Sequence, residues 1–287
     1  FFDALSRTRR GSVVCVFDIT DRLQHMFWRY LEKDHPANAD KDSEKYRNEI
    51  FELYRKMDDL VGRTMEQVDD DSVLMVMSDH GFNSFRRGIN LNTWLYQNGY
   101  LAMKNPPRGK EWFHDVEWEQ TRAYAVGLGG LYLNVKWREA RGVVLRDEMQ
   151  GLKDELREKL KSLRDEATGE QPISEVYDTR QAYSGPYRGD GPDLVVGCRV
   201  GYRTSWLSVT GGITDSVFED NVKSWSGDHC MNPPEVPGIL FCNRKMDRSV
   251  IEITDIAATV LDLFGISVPG WMDGESFLSK GQPEEKE

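Results

Sequence analysis

The sequence predicts an α/β fold with a mostly parallel sheet and helices on both faces. Short, nearly uninterrupted apolar runs read as buried strands, and stretches of helical periodicity alternate with them. Several runs also end directly in Asp or His, as at Asp21, Asp79 and His80. In open α/β sheets, ligand-binding residues gather beyond the carboxyl ends of the strands.

The elements follow in order. A helix-like opening leads into GSVVCVFDIT, a β-rich apolar run with Asp18 to Asp21 just past its end. Between Ser43 and Val68, Tyr46, Ile50, Leu53, Tyr54, Met57, Leu60, Val61, Met65 and Val68 recur at helical spacing. SVLMVM at 72–77 reads as a strand buried on both faces, and Ser78-Asp79-His80-Gly81 follows it. LNTWLYQNGYL reads as a short helix ending near Gly99. Residues 104–121 are rich in proline and charge, and irregular.

AYAVGLGGLYLNV (123–135) reads as a hairpin turning at Gly129-Gly130. Leu145, Met149, Leu152, Leu156, Leu160 and Leu163 form the stripe of an ordinary packed helix. The loop YSGPYRGDGP (183–192), a strand in PDLVVGCRV and a glycine- and serine-rich stretch (201–228) come next. GILFCN (238–243) reads as another buried strand. Thr254 is a candidate N-cap for DIAATVLDLFG, which ends at Gly265 with Pro269 beyond. The last eight residues are charged and polar, the pattern of a frayed end. Residues 1–287 are expected to form a single domain, with 104–190 as a candidate cap-like insertion within it.

Composition narrows the function. The chain is 39% apolar with eight tryptophans, enough for a sizeable core, and its net charge is −11. An acidic surface disfavours nucleic acid, which needs clustered Lys and Arg. An anionic substrate would need a local offset to that field, which bound metal supplies. No stretch approaches the ~20 apolar residues of a membrane span, and no signal peptide is visible. Cys15, Cys198, Cys230 and Cys242 form no C-x-x-C pair and read as reduced, mostly buried thiols, so a cytoplasmic location is expected. The chain opens Phe1-Phe2, without an initiator methionine, so it is expected to be processed or incomplete there.

Three of the five histidines sit beside aspartate: Asp21 with His25, Asp79-His80, and Asp228-His229. Imidazole with carboxylate is a common donor set for zinc and related divalent metals. On a helix, Asp21 and His25 would lie one turn apart on one face; the plain alternative is a surface i,i+4 charge pair. A carboxylate at the end of a buried strand, as at Asp79, is costly unless it is paired or coordinated. The plain alternatives are a capping turn there and a solvated loop around Asp228-His229. Cys230 is a weak candidate ligand, since neighbours on an extended segment point opposite ways. His35 and His114 sit in charged, loop-like surroundings and are expected at the surface.

At these residues the chain resembles the alkaline phosphatase superfamily, in its type I phosphodiesterase/nucleotide pyrophosphatase branch with the related phosphohydrolases and phosphomutases. DRLQHMFWRYL, SDHGF with INLNTWLYQNGYL, AYAVGLGGLYLNVKWRE, SGPYRGDGPDLVVG, SWSGDHCMNPPEVPGILFCNRK and ITDIAATVLDLFGISVPGWMDG carry the resemblance. It implies an alkaline-phosphatase-like fold and two divalent ions, zinc by resemblance, with manganese or iron also suited to the donors. By that resemblance Asp21, His25 and His229 hold one ion, while Asp79 and His80 hold the other. It further implies hydrolysis of a small phosphodiester or phosphomonoester by in-line displacement at phosphorus.

The family also places a strand-end aspartate and a Thr or Ser nucleophile upstream of the D-x-x-x-H segment. Only twenty residues precede Asp21, so the family's N-terminal part, and with it the nucleophile, is expected to be absent. Thr20 and Ser12 are the nearby hydroxyls of the right type, without the family's context. The chain alone is then expected to be weak or inactive, with self-association through an incomplete sheet. A cofactor-independent phosphomutase and a non-catalytic metal- or phosphate-binding remnant are the alternatives. The first carries a large inserted domain for which there is little room. Lys223 and Arg188 are candidate anion contacts, equally readable as surface charge.

Overall fold

The computed structural model describes residues 1–39, 41–105 and 111–278. The charged tail at 280–287 and part of the 104–121 segment lie outside these residues. The fold is mixed α/β and comprises two compact units. One gathers Phe1–Val16, Arg55–Gly81 and Gly238–Glu287; the other gathers Phe17–Tyr54 and Phe82–Pro237. No helix among the described residues is long and apolar enough to cross a membrane.

In the first unit, Met75–Met77 pairs antiparallel with Leu240–Cys242, with Val76 opposite Phe241. Ser78 and Ile239 continue the ladder, the Ser78 N–H donating to the Ile239 carbonyl at 3.0 Å. Gly238 permits the approach, since a Cβ there would lie 2.6 Å from the Ser78 carbonyl oxygen. Thr254, the expected N-cap, is already the first residue of the helix Thr254–Leu263, and the cap is Ile253, one residue earlier. Asp255 then secures the start by accepting from the Glu252 N–H.

Two expectations fail in this unit. The run at 13–17 forms no strand, and Val14 and Val16 are exposed. β-branched residues favour a strand only where a neighbour supplies a ladder and a packed face. The runs at 72–77 and 238–243 do form strands, but Met77, Ile239 and Phe241 are exposed rather than buried on both faces.

The second unit holds the main core. Asn83–Ile89 is its organising strand: it pairs in parallel with Gly201–Thr204 and antiparallel with both Phe218–Asp220 and Gly227–Asp228. A second sheet runs Ala123–Val126, Gly130–Leu133, Leu194–Cys198, Ile173–Asp178, every pairing antiparallel. The expected hairpin is present, but it turns at 127–129 rather than at Gly129-Gly130: Val126 stands opposite Gly130, which already belongs to the second strand, and Gly127 and Gly129 have positive φ. The helix Met149–Lys161 buries Met149, Leu152, Leu156 and Leu160, the middle of the stripe read from the sequence; Leu145 and Leu163 lie outside it, and Leu145 is exposed. The helix Leu91–Gln97 closes before Gly99, whose φ is +76°.

The described strand pairings are mostly antiparallel rather than parallel as expected: between strands, Asn83–Ile89 with Gly201–Thr204 is the one parallel pairing among the described residues, beside the isolated parallel bridges Val135–Val144 and Lys136–Glu139. Apolar continuity reports that a strand is buried, not the direction of its neighbour.

Candidate metal centre

The helix Ile19–Phe27 carries Asp21 and His25 on one face. The i,i+4 spacing sets His25 Nε2 3.5 Å from Asp21 Oδ1. The short strand Gly227–Asp228, held antiparallel on Asn83 and Ser84, delivers His229 to the same place. Its Nε2 lies 3.6 Å from the same Asp21 oxygen. All three donor atoms fall within 4.8 Å of one another. In a tetrahedral zinc site with bonds near 2.05 Å, donor atoms stand roughly 3.3 Å apart. The cluster therefore has the donor types and nearly the spacing that a divalent ion requires.

The backbone fixes the chemistry of His25. Its Nδ1 lies 2.7 Å from the Gly227 carbonyl oxygen. A carbonyl only accepts, so Nδ1 carries the hydrogen and Nε2, toward Asp21, keeps the lone pair. Gly227 makes that contact possible, because a Cβ there would sit 2.6 Å from the Gln24 carbonyl oxygen and 2.8 Å from Trp28 Cβ. The Ser226 N–H donates to the His25 carbonyl at 2.7 Å, and the Arg29 N–H to Ser226 Oγ at 3.0 Å. Trp225 stacks on the His25 ring with centroids 3.7 Å apart, and Phe82 meets both His25 and His229 edge-on.

Asp228 does not join the donors. Its Oδ1 accepts the backbone N–H groups of His229 and Cys230, and its Oδ2 accepts from Arg203 and Trp225. Burial pushes its carboxyl up, but the Arg203 charge and these hydrogen bonds prevail and hold it below the usual range. Asp228, His229 and Cys230 form a second cluster of donor atoms. Burial and the Asp228 charge push the Cys230 thiol up to about 12.

The sequence model of the type I phosphodiesterase / nucleotide pyrophosphatase family matches residues 1–206. The chain belongs to this family. No match is found among curated proteins. The phosphodiesterase family lies within the alkaline phosphatase superfamily and is a hydrolase family, generally dependent on divalent metal. The match takes in Asp21, His25, Asp79 and His80 and stops short of His229.

In this phosphodiesterase relative, Asp79 and His80 lie in the first unit, just past Met75–Met77. His80 Nε2 is 3.5 Å from Asp79 Oδ2, and His80 Nδ1 lies 2.9 Å from the Gly81 carbonyl oxygen, which puts the lone pair on Nε2 as in His25. The Asp79 side chain is 72% exposed. Thr20 spends its hydroxyl on the Phe17 carbonyl at 3.1 Å, and Ser12 lies in the first unit.

Two further residues depart from the sequence reading. His35 is buried rather than at the surface: Nδ1 accepts the Ala37 N–H at 3.1 Å, and Nε2 donates to the Phe85 carbonyl at 3.0 Å. It caps the turn at Pro36–Asn38, and burial pushes its pKa below the ordinary value. Cys15 is exposed, while His114 is at the surface as expected. Sequence reasoning missed Arg203 and Trp225 altogether. A lone arginine in GYRT looks like any surface charge, and only the position of Trp225, four residues before His229, hinted at a role.

Proposed function

We propose that the chain is a two-metal phosphohydrolase acting on small phosphate esters, phosphodiesters ahead of monoesters. Asp21, His25 and His229 hold one divalent ion, and Asp79 and His80 supply two ligands to a second. The convergence of His25 and His229 on one Asp21 oxygen, at 3.5 and 3.6 Å, is the observation that carries this. Family membership supports the reaction class, hydrolysis of a phosphate ester.

Bound divalent ions would contribute Lewis acidity and activate the attacking oxygen. The chain's own residues prepare that chemistry. The Gly227 carbonyl holds His25 in the tautomer that turns its lone pair to Asp21. Phe82 and Trp225 flank the imidazoles with apolar surface, which limits water and strengthens electrostatic interactions within the site. The net charge of −11 favours a small ester over nucleic acid, with positive charge supplied locally. Thr20 and Ser12 have no assigned role as nucleophile.

Two measurements on the purified chain test this: metal content by elemental analysis, and hydrolysis of bis-p-nitrophenyl phosphate with added zinc or manganese. Bound metal that falls on His229→Ala is expected, with weak diester hydrolysis that a chelator abolishes. A chain that takes up neither zinc nor manganese, or hydrolysis indifferent to chelator and to His229→Ala, would contradict it.

A further inference from the structure

Asp228 stands beside the metal triad without joining it, and every acceptor direction of its carboxylate is occupied. Arg203 Nη1 donates to Oδ2 at 2.7 Å and Trp225 Nε1 to the same oxygen at 2.9 Å. The backbone N–H groups of His229 and Cys230 donate to Oδ1 at 2.8 and 2.9 Å. Each bond leads toward the triad or toward the rigid sheet behind it. The His229 and Cys230 contacts shape the turn that presents His229. The Trp225 contact fixes the indole whose face lies on His25. The residue before Asp228 is Gly227, whose carbonyl sets the His25 tautomer. Arg203 belongs to Gly201–Thr204, the parallel neighbour of the organising strand.

We propose that Asp228, with Arg203 as its counter-charge, is a positioning residue that aims both His25 and His229 at a divalent cation. The proposal rests on the metal-binding reading above. Stability alone is a poor reason for this pair. Both side chains are almost completely buried, and a buried ion pair is commonly matched or bettered by apolar residues of similar volume. Arg203 also leaves Nη2 without a hydrogen-bond partner among the described residues, a further cost. Its guanidinium lies over the rings of Phe85 and Trp206, at 4.7 and 4.0 Å, so its position is defined by packing before Asp228 is considered. A charge anchored in that way suits the orienting of ligands, where partners behind the donor atoms set ring direction and basicity.

The test uses the full chain and three readouts: zinc affinity by competition with a chromophoric chelator, the visible absorption spectrum of the cobalt(II) form, and the melting temperature without metal. Asp228→Asn keeps the shape but turns an amide NH2 toward groups that already donate. It is expected to weaken zinc binding about 10- to 100-fold and to alter the cobalt spectrum. Trp225→Phe keeps a ring over His25 and drops the indole donor, so a smaller loss of affinity is expected with the metal-free melting temperature little changed. The double variant Arg203→Met with Asp228→Leu replaces the pair by apolar groups. It is expected to fold and still bind zinc as weakly as Asp228→Asn, which decides the matter should that single variant not fold.

Wild-type affinity and cobalt spectrum in the folded Asp228 and Trp225 variants, beside a clear loss in His229→Ala, would overturn the positioning role and leave the metal centre standing. No loss in His229→Ala would overturn the metal centre and this role with it.

Discussion

Two Asp-His groups that look equivalent in the sequence are held in quite different ways. His25 and His229 sit in the second unit, backed by the Gly227 carbonyl, two aromatic rings and a buried carboxylate. Asp79 and His80 sit in the first, at the end of a two-stranded ladder, and the Asp79 carboxylate is largely in solvent. The contrast extends to packing. The second unit buries Leu131, Leu133, Leu156, Leu160 and Leu194 completely, while the first exposes Val14, Val16, Ile239 and Phe241. Ligand residue types identify a site, but the groups behind them determine how firmly its geometry is fixed.

The largest effect that would break this comparison is expected in the second unit. Lys153 and Asp178 form a fully buried ion pair between the helix Met149–Lys161 and the strand Ile173–Asp178. Lys153→Met leaves Asp178 buried without its partner and is expected to cost about 3–5 kcal/mol in denaturant unfolding. A loss under 1 kcal/mol would show that this core is looser than its burial implies. Next comes a matched pair of truncations. Leu156→Ala is expected to cost about 2–5 kcal/mol through the cavity it leaves. Phe241→Ala, on the exposed ladder, is expected to fall within about 0.5 kcal/mol of wild type. Equal losses would erase the distinction between the units.

A smaller effect depends on pH. Burial lowers the pKa of His35 from its ordinary 6.5, so folded and unfolded chains both hold it neutral well above that value. As pH falls through 6.5 the unfolded chain takes up a proton that the folded chain resists, and stability declines. Unfolding midpoints at pH 7.5 and pH 5.5 are expected to differ less in His35→Asn than in wild type. An unchanged difference would place the pH dependence elsewhere.

How much of this was legible in the sequence varies from residue to residue. Asp21 and His25 were readable because four-residue spacing on a helix leaves only one arrangement. The Met149–Lys161 stripe and the 123–135 hairpin were readable for the same reason, since local periodicity and glycine placement determine them. Strand direction was not, because Met75–Met77 and Leu240–Cys242 carry the same apolar pattern whichever way they run. His35 was misread because its burial depends on the Phe85 carbonyl, fifty residues away in the chain. Arg203 and Asp228 show the same limit: their pairing joins two strands through the organising strand, and no window of sequence contains both.

The most direct test of the account is zinc affinity measured side by side in the wild type, His229→Ala and Asp79→Ala. The triad is assembled wholly within the second unit, so His229→Ala should abolish the tightest site while Asp79→Ala leaves it in place. Equal loss from both substitutions, or loss from neither, would contradict the claim that Asp21, His25 and His229 form a preassembled metal centre.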